Sequence, residues 1–250
     1  MILFYVFFST LVLIIPIEKY RKKNILAYLN SFASWGMIRI LNISAGFSGI
    51  ENYDESKSYY IMSNHVSFVD VFLVVARFRT LLITSTEMKK RAVLGQLAML
   101  GGCLFVERRK ITTLRDEIPE ISEAFKRKLN VCLFPESTCS DGRGLLPFKS
   151  ALMSAVSGTG SLIIPVCVMY RKINDEKFTS DDFRRIGYFG GMKFFPQFMK
   201  VMMLKSLEVE LEMLEPVDPG SLDRKEISAL VFEKINRRYT VYLSEINSSD

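Results

Sequence analysis

Beyond Gly46 the chain switches repeatedly between short apolar runs and amphipathic stretches, an alternation that commits it to an α/β fold. Candidate strands lie at 59–62, 81–84, 103–106, 131–134, 162–169 and 207–214. In the last, Leu207, Val209 and Leu211 alternate with Glu208, Glu210 and Glu212, so one face is wet. Helices are predicted at 69–78 and 118–129. Ile118, Ile121, Phe125 and Leu129 form the buried stripe of the second, and Pro119 suits its first turn. Asp223 and Glu226 have capping-box spacing and open a final helix. Residues 192–205 mix large apolar side chains with Lys193, Lys200 and Lys205; a core helix and an interfacial helix fit equally well. The expected architecture is a mixed β-sheet flanked by helices in one domain.

The first 45 residues differ. Residues 1–17 carry only Ser9 and Thr10 as polar interruptions, and Glu18-Lys19-Tyr20-Arg21-Lys22-Lys23 follows at once. As one helix the run would reach about 25 Å, short of a ~30 Å hydrocarbon core. No basic segment precedes it and no small-residue cleavage site follows, so it reads as an anchor rather than a signal peptide. The basic cluster after it assigns the rest of the chain to the cytoplasmic face of a membrane. Asn24 is the expected cap of a second helix reaching about Leu41, with Ala27, Asn30, Ser31 and Ser34 forming a small or polar stripe. Such a stripe lets membrane helices approach closely. That favours a membrane-associating helical hairpin in one leaflet over a single spanning helix followed by a core helix.

Thirty-three basic residues against 27 acidic ones give a net charge of +6, which points to anionic partners. No nucleic-acid-binding signature is present, so a phospholipid surface or a phosphorylated substrate ranks ahead of nucleic acid. The four cysteines, Cys103, Cys132, Cys139 and Cys167, show no paired metal-ligand spacing and have one histidine to share, so no metal site is expected. All but Cys139 fall in strand-like runs and read as buried free thiols.

That histidine, His65, must carry any imidazole chemistry near neutral pH. It lies in Ser63-Asn64-His65-Val66-Ser67-Phe68-Val69-Asp70. A spacing of five does not put His65 and Asp70 on one face of a regular helix. They meet if His65 occupies the strand-to-helix loop, Ser67 is the N-cap and Asp70 the third helical residue. A carboxylate on one imidazole nitrogen would leave the other free as a base. The alternative is a capping box beside an ordinary loop histidine, and the two readings weigh equally on these residues alone.

Three further blocks follow. Residues 101–110 run from Gly101-Gly102 through a strand to Glu107-Arg108-Arg109-Lys110, a basic exit suited to phosphate. Residues 131–143 carry a buried strand into Pro135-Glu136-Ser137-Thr138-Cys139-Ser140-Asp141-Gly142-Arg143, at the end of a strand where open α/β sheets bind ligands. Ile163-Ile164-Pro165-Val166 places a proline inside a strand, which suggests an edge or a bulge.

In this order and spacing the four blocks resemble the glycerolipid acyltransferase family that includes the 1-acylglycerol-3-phosphate acyltransferases. Asn64, His65 and Asp70 match its Asn-His-x-x-x-x-Asp motif. Gly102, Phe105, Glu107 and Arg108 match the second motif, residues 134–140 the Phe-Pro-Glu-Gly-Thr-Arg-Ser motif, and Pro165 the fourth. The resemblance covers roughly residues 46–215 and implies an acyltransferase domain at 46–250 behind membrane-anchoring helices at 1–45. It implies acyl transfer from an acyl thioester, acyl-CoA or acyl carrier protein, to the hydroxyl of a membrane lysolipid, with no cofactor and no metal. The first acceptor to consider is 1-acyl-sn-glycerol 3-phosphate; another lysophospholipid or a lyso-ornithine lipid is the alternative, and a non-catalytic lipid-binding protein a remote one.

By the same resemblance His65 is the base, Asp70 orients it, and backbone N–H groups of the His65 loop and helix start receive the oxyanion. Arg108, Glu136, Ser137, Thr138 and Cys139 are acceptor-binding, with Asn64, Gly102, Phe105, Arg109, Arg143, Lys149 and Pro165 in support. Two departures stand out. Ser137 replaces a glycine, at a cost of about 1 kcal/mol if the position has a positive φ. Cys139 replaces an arginine implied to grip the acceptor's phosphate, a fork that a thiol does not replace; Arg143, Lys149, Arg108 or Arg109 would have to substitute. No neighbour in sequence offers Cys139 a histidine base, which argues against a nucleophilic role.

Overall fold

In a computed structural model describing residues 2–107 and 114–248, eight strands and nine α-helices fold into one mixed sheet covered by helices. In chain order the elements begin α1 (Ile2–Ile14), α2 (Lys19–Ile40), β1 (Ile43–Ser48), β2 (Tyr59–Ser63), α3 (Phe68–Phe78) and β3 (Thr80–Ser85). There follow α4 (Thr86–Lys89), α5 (Ala92–Leu100), β4 (Leu104–Val106), α6 (Leu114–Lys126), β5 (Asn130–Leu133) and β6 (Leu162–Ile173). The chain closes with β7 (Glu176–Lys177), α7 (Phe183–Ile186), α8 (Phe194–Met202), β8 (Leu207–Met213) and α9 (Arg224–Asn247).

The strand order is β1-β8-β6-β2-β5-β3-β4, with β7 beside β6. Strands β6, β2, β5, β3 and β4 run parallel, and β8 is antiparallel to β6. Central β2 is buried at every residue, Tyr59 to Ser63, as a strand covered on both faces must be. In β8, Leu207, Val209, Leu211 and Met213 face the core, while Glu208, Glu210 and Glu212 pair with Lys172, Arg171 and Arg238.

Five local expectations need correction. The first helix stops at Ile14, because Pro16 disfavours helical backbone at Ile15. Thirteen residues span only about 20 Å, and among the described residues no helix is long and apolar enough to cross a membrane. The second helix starts at Lys19 rather than Asn24: Glu18 is its cap, its carboxylate accepting the Arg21 N–H at 2.7 Å. Its small-residue stripe serves the core. Ala27, Ser31 and Ser34 are buried, α2 lies along α3, and the Ser31 hydroxyl donates to the Ala76 carbonyl at 3.0 Å. The helix α6 starts at Leu114, so Pro119 sits inside it rather than in its first turn. Pro165 is not at an edge, since β6 is paired on both sides. It sits opposite Met62 of β2 and one residue before the β8 ladder begins at Val166, where a missing N–H costs least.

Candidate active site

Three adjacent strands deliver the site. β2 ends at Ser63 and leads into His65, its neighbour β5 leads into Glu136 and Cys139, and its other neighbour β6 carries Tyr170. Asn64 fastens the first of these to the last. Its amide donates to the Val168 carbonyl at 3.0 Å and accepts the Val168 N–H at 2.8 Å, so a side chain continues the ladder where the backbone leaves it.

Both readings of the five-residue spacing are realised together. Ser67 is the N-cap of α3 and Asp70 closes the capping box, accepting the Ser67 N–H at 2.8 Å. The same oxygen, Oδ2, accepts the Val66 N–H at 2.7 Å and lies 3.0 Å from His65 Nδ1. Held this way, Nδ1 carries the proton and donates, which leaves Nε2 as the working nitrogen. Asp70 Oδ1 accepts the hydroxyl of buried Tyr170 at 2.5 Å. The carboxylate is thus fully engaged, and it fixes the imidazole and the loop at once. Tyr170 was not anticipated: nothing in a strand-like run separates a tyrosine that reaches a carboxylate from one that only fills the core.

The imidazole stacks on Phe134, with ring centroids 4.1 Å apart, and its side chain remains 16% exposed. Its backbone is held by the 134–149 loop. The His65 N–H donates to Glu136 Oε1 at 2.8 Å, and the His65 carbonyl accepts the Ser140 N–H at 2.8 Å. Glu136 Oε2 accepts the Leu146 N–H at 2.8 Å, so this buried carboxyl joins two loops. Burial pushes it up to about 7, against the Leu146 and His65 N–H groups that favour its ionised form.

Three N–H groups of the loop are already committed: those of Val66 and Ser67 to Asp70 and that of His65 to Glu136. Cys139 is buried next to Ser140, whose N–H ties this loop to the His65 carbonyl. Burial disfavours a charged imidazole there, but Cys139, followed by Asp70, outweighs it and holds the ring's pKa well above its ordinary value, at about 10.

The remaining candidates divide by position. Ser137 has φ +64, the left-handed conformation in which glycine is at ease and serine is strained. Thr138, Arg143 and Lys149 are exposed on the same loop. Gly102 and Phe105 belong to the approach and body of β4, three strands from β2 and roughly 14 Å across the sheet. Gly102 has φ +71 and a Cβ there would sit 3.2 Å from the Leu26 Cβ, so that glycine lets the chain pass close to α2. Arg108 and Arg109 lie outside the described residues. Among the described residues no cluster of His, Cys, Asp or Glu could hold a metal ion.

Residues 45–169, half of the chain, match the family described as Acyltransferase. The chain is 33% identical over 110 residues to the 1-acyl-sn-glycerol-3-phosphate acyltransferase of Neisseria gonorrhoeae, covering 44% of this chain and 43% of that protein. The match therefore spans less than half the length of that relative. It is 27% identical over 192 residues to the lyso-ornithine lipid O-acyltransferase of Rhizobium meliloti, covering 74% of this chain and 66% of that one. The fold is similar to the crystal structure of the 1-acyl-sn-glycerophosphate acyltransferase of Thermotoga maritima. That likeness has a TM-score of 0.66 at 20% identity, over 95% of this chain and 89% of the other.

Proposed function

The chain belongs to the acyltransferase family, and from that premise we propose that it moves an acyl group from a thioester to the free hydroxyl of a lysolipid at a membrane surface. The observation that carries this reading is the His65–Asp70–Tyr170 chain, in which a carboxylate fixed by four donors presents one imidazole with its Nε2 unspent by Asp70. Binding a lipid requires no such chain; taking a hydroxyl proton during attack on a carbonyl does. The donor in this reading is acyl-CoA or acyl carrier protein, and no metal or cofactor takes part.

For the acceptor, the reading is 1-acyl-sn-glycerol 3-phosphate, giving phosphatidate. A second reading, a lyso-ornithine lipid or another lysolipid, is favoured by Cys139. At that position a buried thiol stands where the family pattern has a guanidinium, and it offers an anionic headgroup no fork. Thr138, Arg143 and Lys149, exposed on the loop beside His65, are the groups we assign to the headgroup.

By role we divide the chain at residue 45. Residues 1–45 meet the cytoplasmic face of a cell membrane and residues 46–250 carry the chemistry, with α2 presenting a face to each. Its buried face lies on α3, while Tyr28, Phe32 and Trp35 are exposed, and Phe32 lies 6.2 Å from Phe4 of α1.

The test is a thioester-consumption assay with purified full-length protein and a panel of acceptors: lysophosphatidate, lysophosphatidylcholine, lysophosphatidylethanolamine and lyso-ornithine lipid. Free thiol should appear only when an acceptor is present, and the best acceptor assigns the substrate. His65→Ala should lose at least about a hundredfold in turnover, the scale of a lost general base, without loss of folding. Full activity in that variant would remove His65 as the base.

A further inference from the structure

We propose that α9 sets the two halves of the site through two buried tyrosines: Tyr242 positions the His65–Asp70–Tyr170 chain, and Tyr239 positions the loop assigned to the headgroup. This rests on the acyltransferase reading above. The two residues stand three apart on one buried face of the helix, with ring centroids 5.3 Å apart. Phenylalanine would fill the same space, so what distinguishes the pair is where the two hydroxyls go.

Tyr242 meets β6 where the sheet stops supporting it. The ladder between β2 and β6 ends with Ser63 opposite Val166. The Asn64 side chain then takes both backbone groups of Val168, and the Tyr242 hydroxyl takes both of Tyr170. It accepts the Tyr170 N–H at 3.3 Å and donates to the Tyr170 carbonyl at 3.0 Å. Against β8 the strand is irregular at the same point: Tyr170 stands opposite Val209 and Lys172 opposite Glu208, so Arg171 is the extra residue of a bulge. A bulge interrupts the ladder and bends the strand. Here α9 holds it twice, by Tyr242 on the Tyr170 backbone and by Glu245, whose Oε2 lies 2.5 Å from Arg171 Nη1. The residue fixed in this way is the one whose hydroxyl donates to Asp70 Oδ1. A shift of the Tyr170 backbone would move that donor and, through Asp70, the imidazole.

Tyr239, one turn earlier, donates to the Gly142 carbonyl at 2.7 Å. The chain is closely packed there: Gly142 has φ +83, and a Cβ on it would lie 2.2 Å from Phe183 Cδ1. Ser140 Oγ accepts the Gly142 N–H at 3.2 Å, and the Asp141 carboxylate accepts the Arg143 N–H at 3.1 Å, so the turn that presents exposed Arg143 is bonded at each residue. Tyr239 supplies its anchor to the body of the protein. Its hydroxyl therefore acts on the acceptor side of the site, and that of Tyr242 on the side of the base.

The experiment is steady-state kinetics on full-length Tyr239→Phe and Tyr242→Phe, with acyl-CoA and the best acceptor of the panel above, at a temperature below every variant's melting transition. Tyr60→Phe is the control, because near the start of β2 it also loses a buried hydroxyl-to-carbonyl bond, to Leu152 at 3.2 Å. All three should melt lower than wild type. Tyr242→Phe should reduce kcat about fivefold with the acceptor KM unchanged, and shift the pH–rate profile in the same direction as Tyr170→Phe. Tyr239→Phe should raise the acceptor KM about fivefold and leave kcat and the thioester KM alone. Combined with Tyr170→Phe, Tyr242→Phe should add little, since it acts through that hydroxyl, whereas Tyr239→Phe should keep its full effect. Wild-type kinetics in both α9 variants, as in Tyr60→Phe, would overturn the assignment and leave the acyltransferase reading standing. So would the same constant changing alike in both, or full additivity of Tyr242→Phe with Tyr170→Phe. Wild-type protein that consumes no thioester with any acceptor would overturn the acyltransferase reading itself.

Discussion

At the scale of single residues, Asp70 is the hub: one carboxylate caps a helix, shapes a loop, orients an imidazole and accepts a tyrosine hydroxyl. Tyr170 touches no reacting atom, so it acts as a positioning residue. Tyr170→Phe keeps the ring against Phe178 and deletes only the O–H. A hydrogen bond to a charged group is worth roughly 1.5–3 kcal/mol, and part of that should appear as a kcat reduced about tenfold with KM little changed. The pH–rate profile should shift with it, which a merely structural role would not produce. Glu136 predicts a pH effect on stability. Its ordinary value is 4.5 and its folded value about 7, so between these pH values the folded chain holds a proton that the unfolded chain has released. Stability should therefore fall as pH rises through that window, by on the order of 3 kcal/mol from this group. Urea midpoints at pH 5 and pH 7.5 should show the decline in wild type and a flatter response in Glu136→Gln. That variant should also be less stable at both pH values, because an amide cannot accept from both the His65 and Leu146 N–H groups. Ser137→Gly should relax the φ of +64 and stabilise by up to about 1 kcal/mol in the same urea titration.

Among the elements, α2 is where periodicity and environment part ways. Its small face at Ala27, Ser31 and Ser34 repeats at helical spacing, and spacing alone does not say whether lipid-exposed or core helices meet there. The partner is α3, whose first turn holds Asp70, so the packing behind the site begins before β1. Ser31→Leu should force the two helices apart at the Ala76 carbonyl and lower stability by about 1–3 kcal/mol, read as a thermal shift, while Ser31→Ala should cost about 1 kcal/mol. The alternation of β8, the capping boxes at Ser67 and Asp223 and all six expected strands were legible in the sequence, because each depends on near neighbours in the chain. Strand β1 was missed: Ile43-Ser44-Ala45-Gly46-Phe47-Ser48 has little β character of its own and forms by pairing with β8, more than 150 residues away. The site divides on the same line. His65, Ser67 and Asp70 lie within one loop and one helical turn, whereas Tyr170 and Glu136 reach them through tertiary folding that no local pattern encodes.

For the whole molecule, the proposed membrane contact has to be made with a first helix of only 13 residues. The helix α1 rests on α2 and α5, with Tyr5 donating to the Leu97 carbonyl at 3.4 Å, and leaves Leu3, Phe4, Phe7 and Phe8 exposed. Phe32 and Trp35 continue that apolar surface onto α2, and the exposed Lys19 and Arg21 lie at its start. Aromatic and aliphatic side chains beside lysine and arginine suit a layer where acyl chains meet anionic headgroups, and a helix lying in that layer has no need to span it. Two changes separate the roles of the two helices. Deleting residues 2–15 removes a helix whose outer side chains are mostly exposed and should leave a folded protein with weaker binding to vesicles containing anionic lipid. Deleting residues 1–45 also removes Ala27, Ile38, Leu41 and Ile43 from the core, together with half of β1, and should give an insoluble chain. The decisive variant is Phe32→Glu with Trp35→Glu, which alters two exposed positions and spares the face on α3. In vesicle co-sedimentation it should lose most of its bound fraction at an unchanged melting temperature. Transfer to an acceptor presented in vesicles should fall with it, while transfer to the same acceptor in detergent should not. Unchanged sedimentation in this variant would show that the membrane is met by another surface.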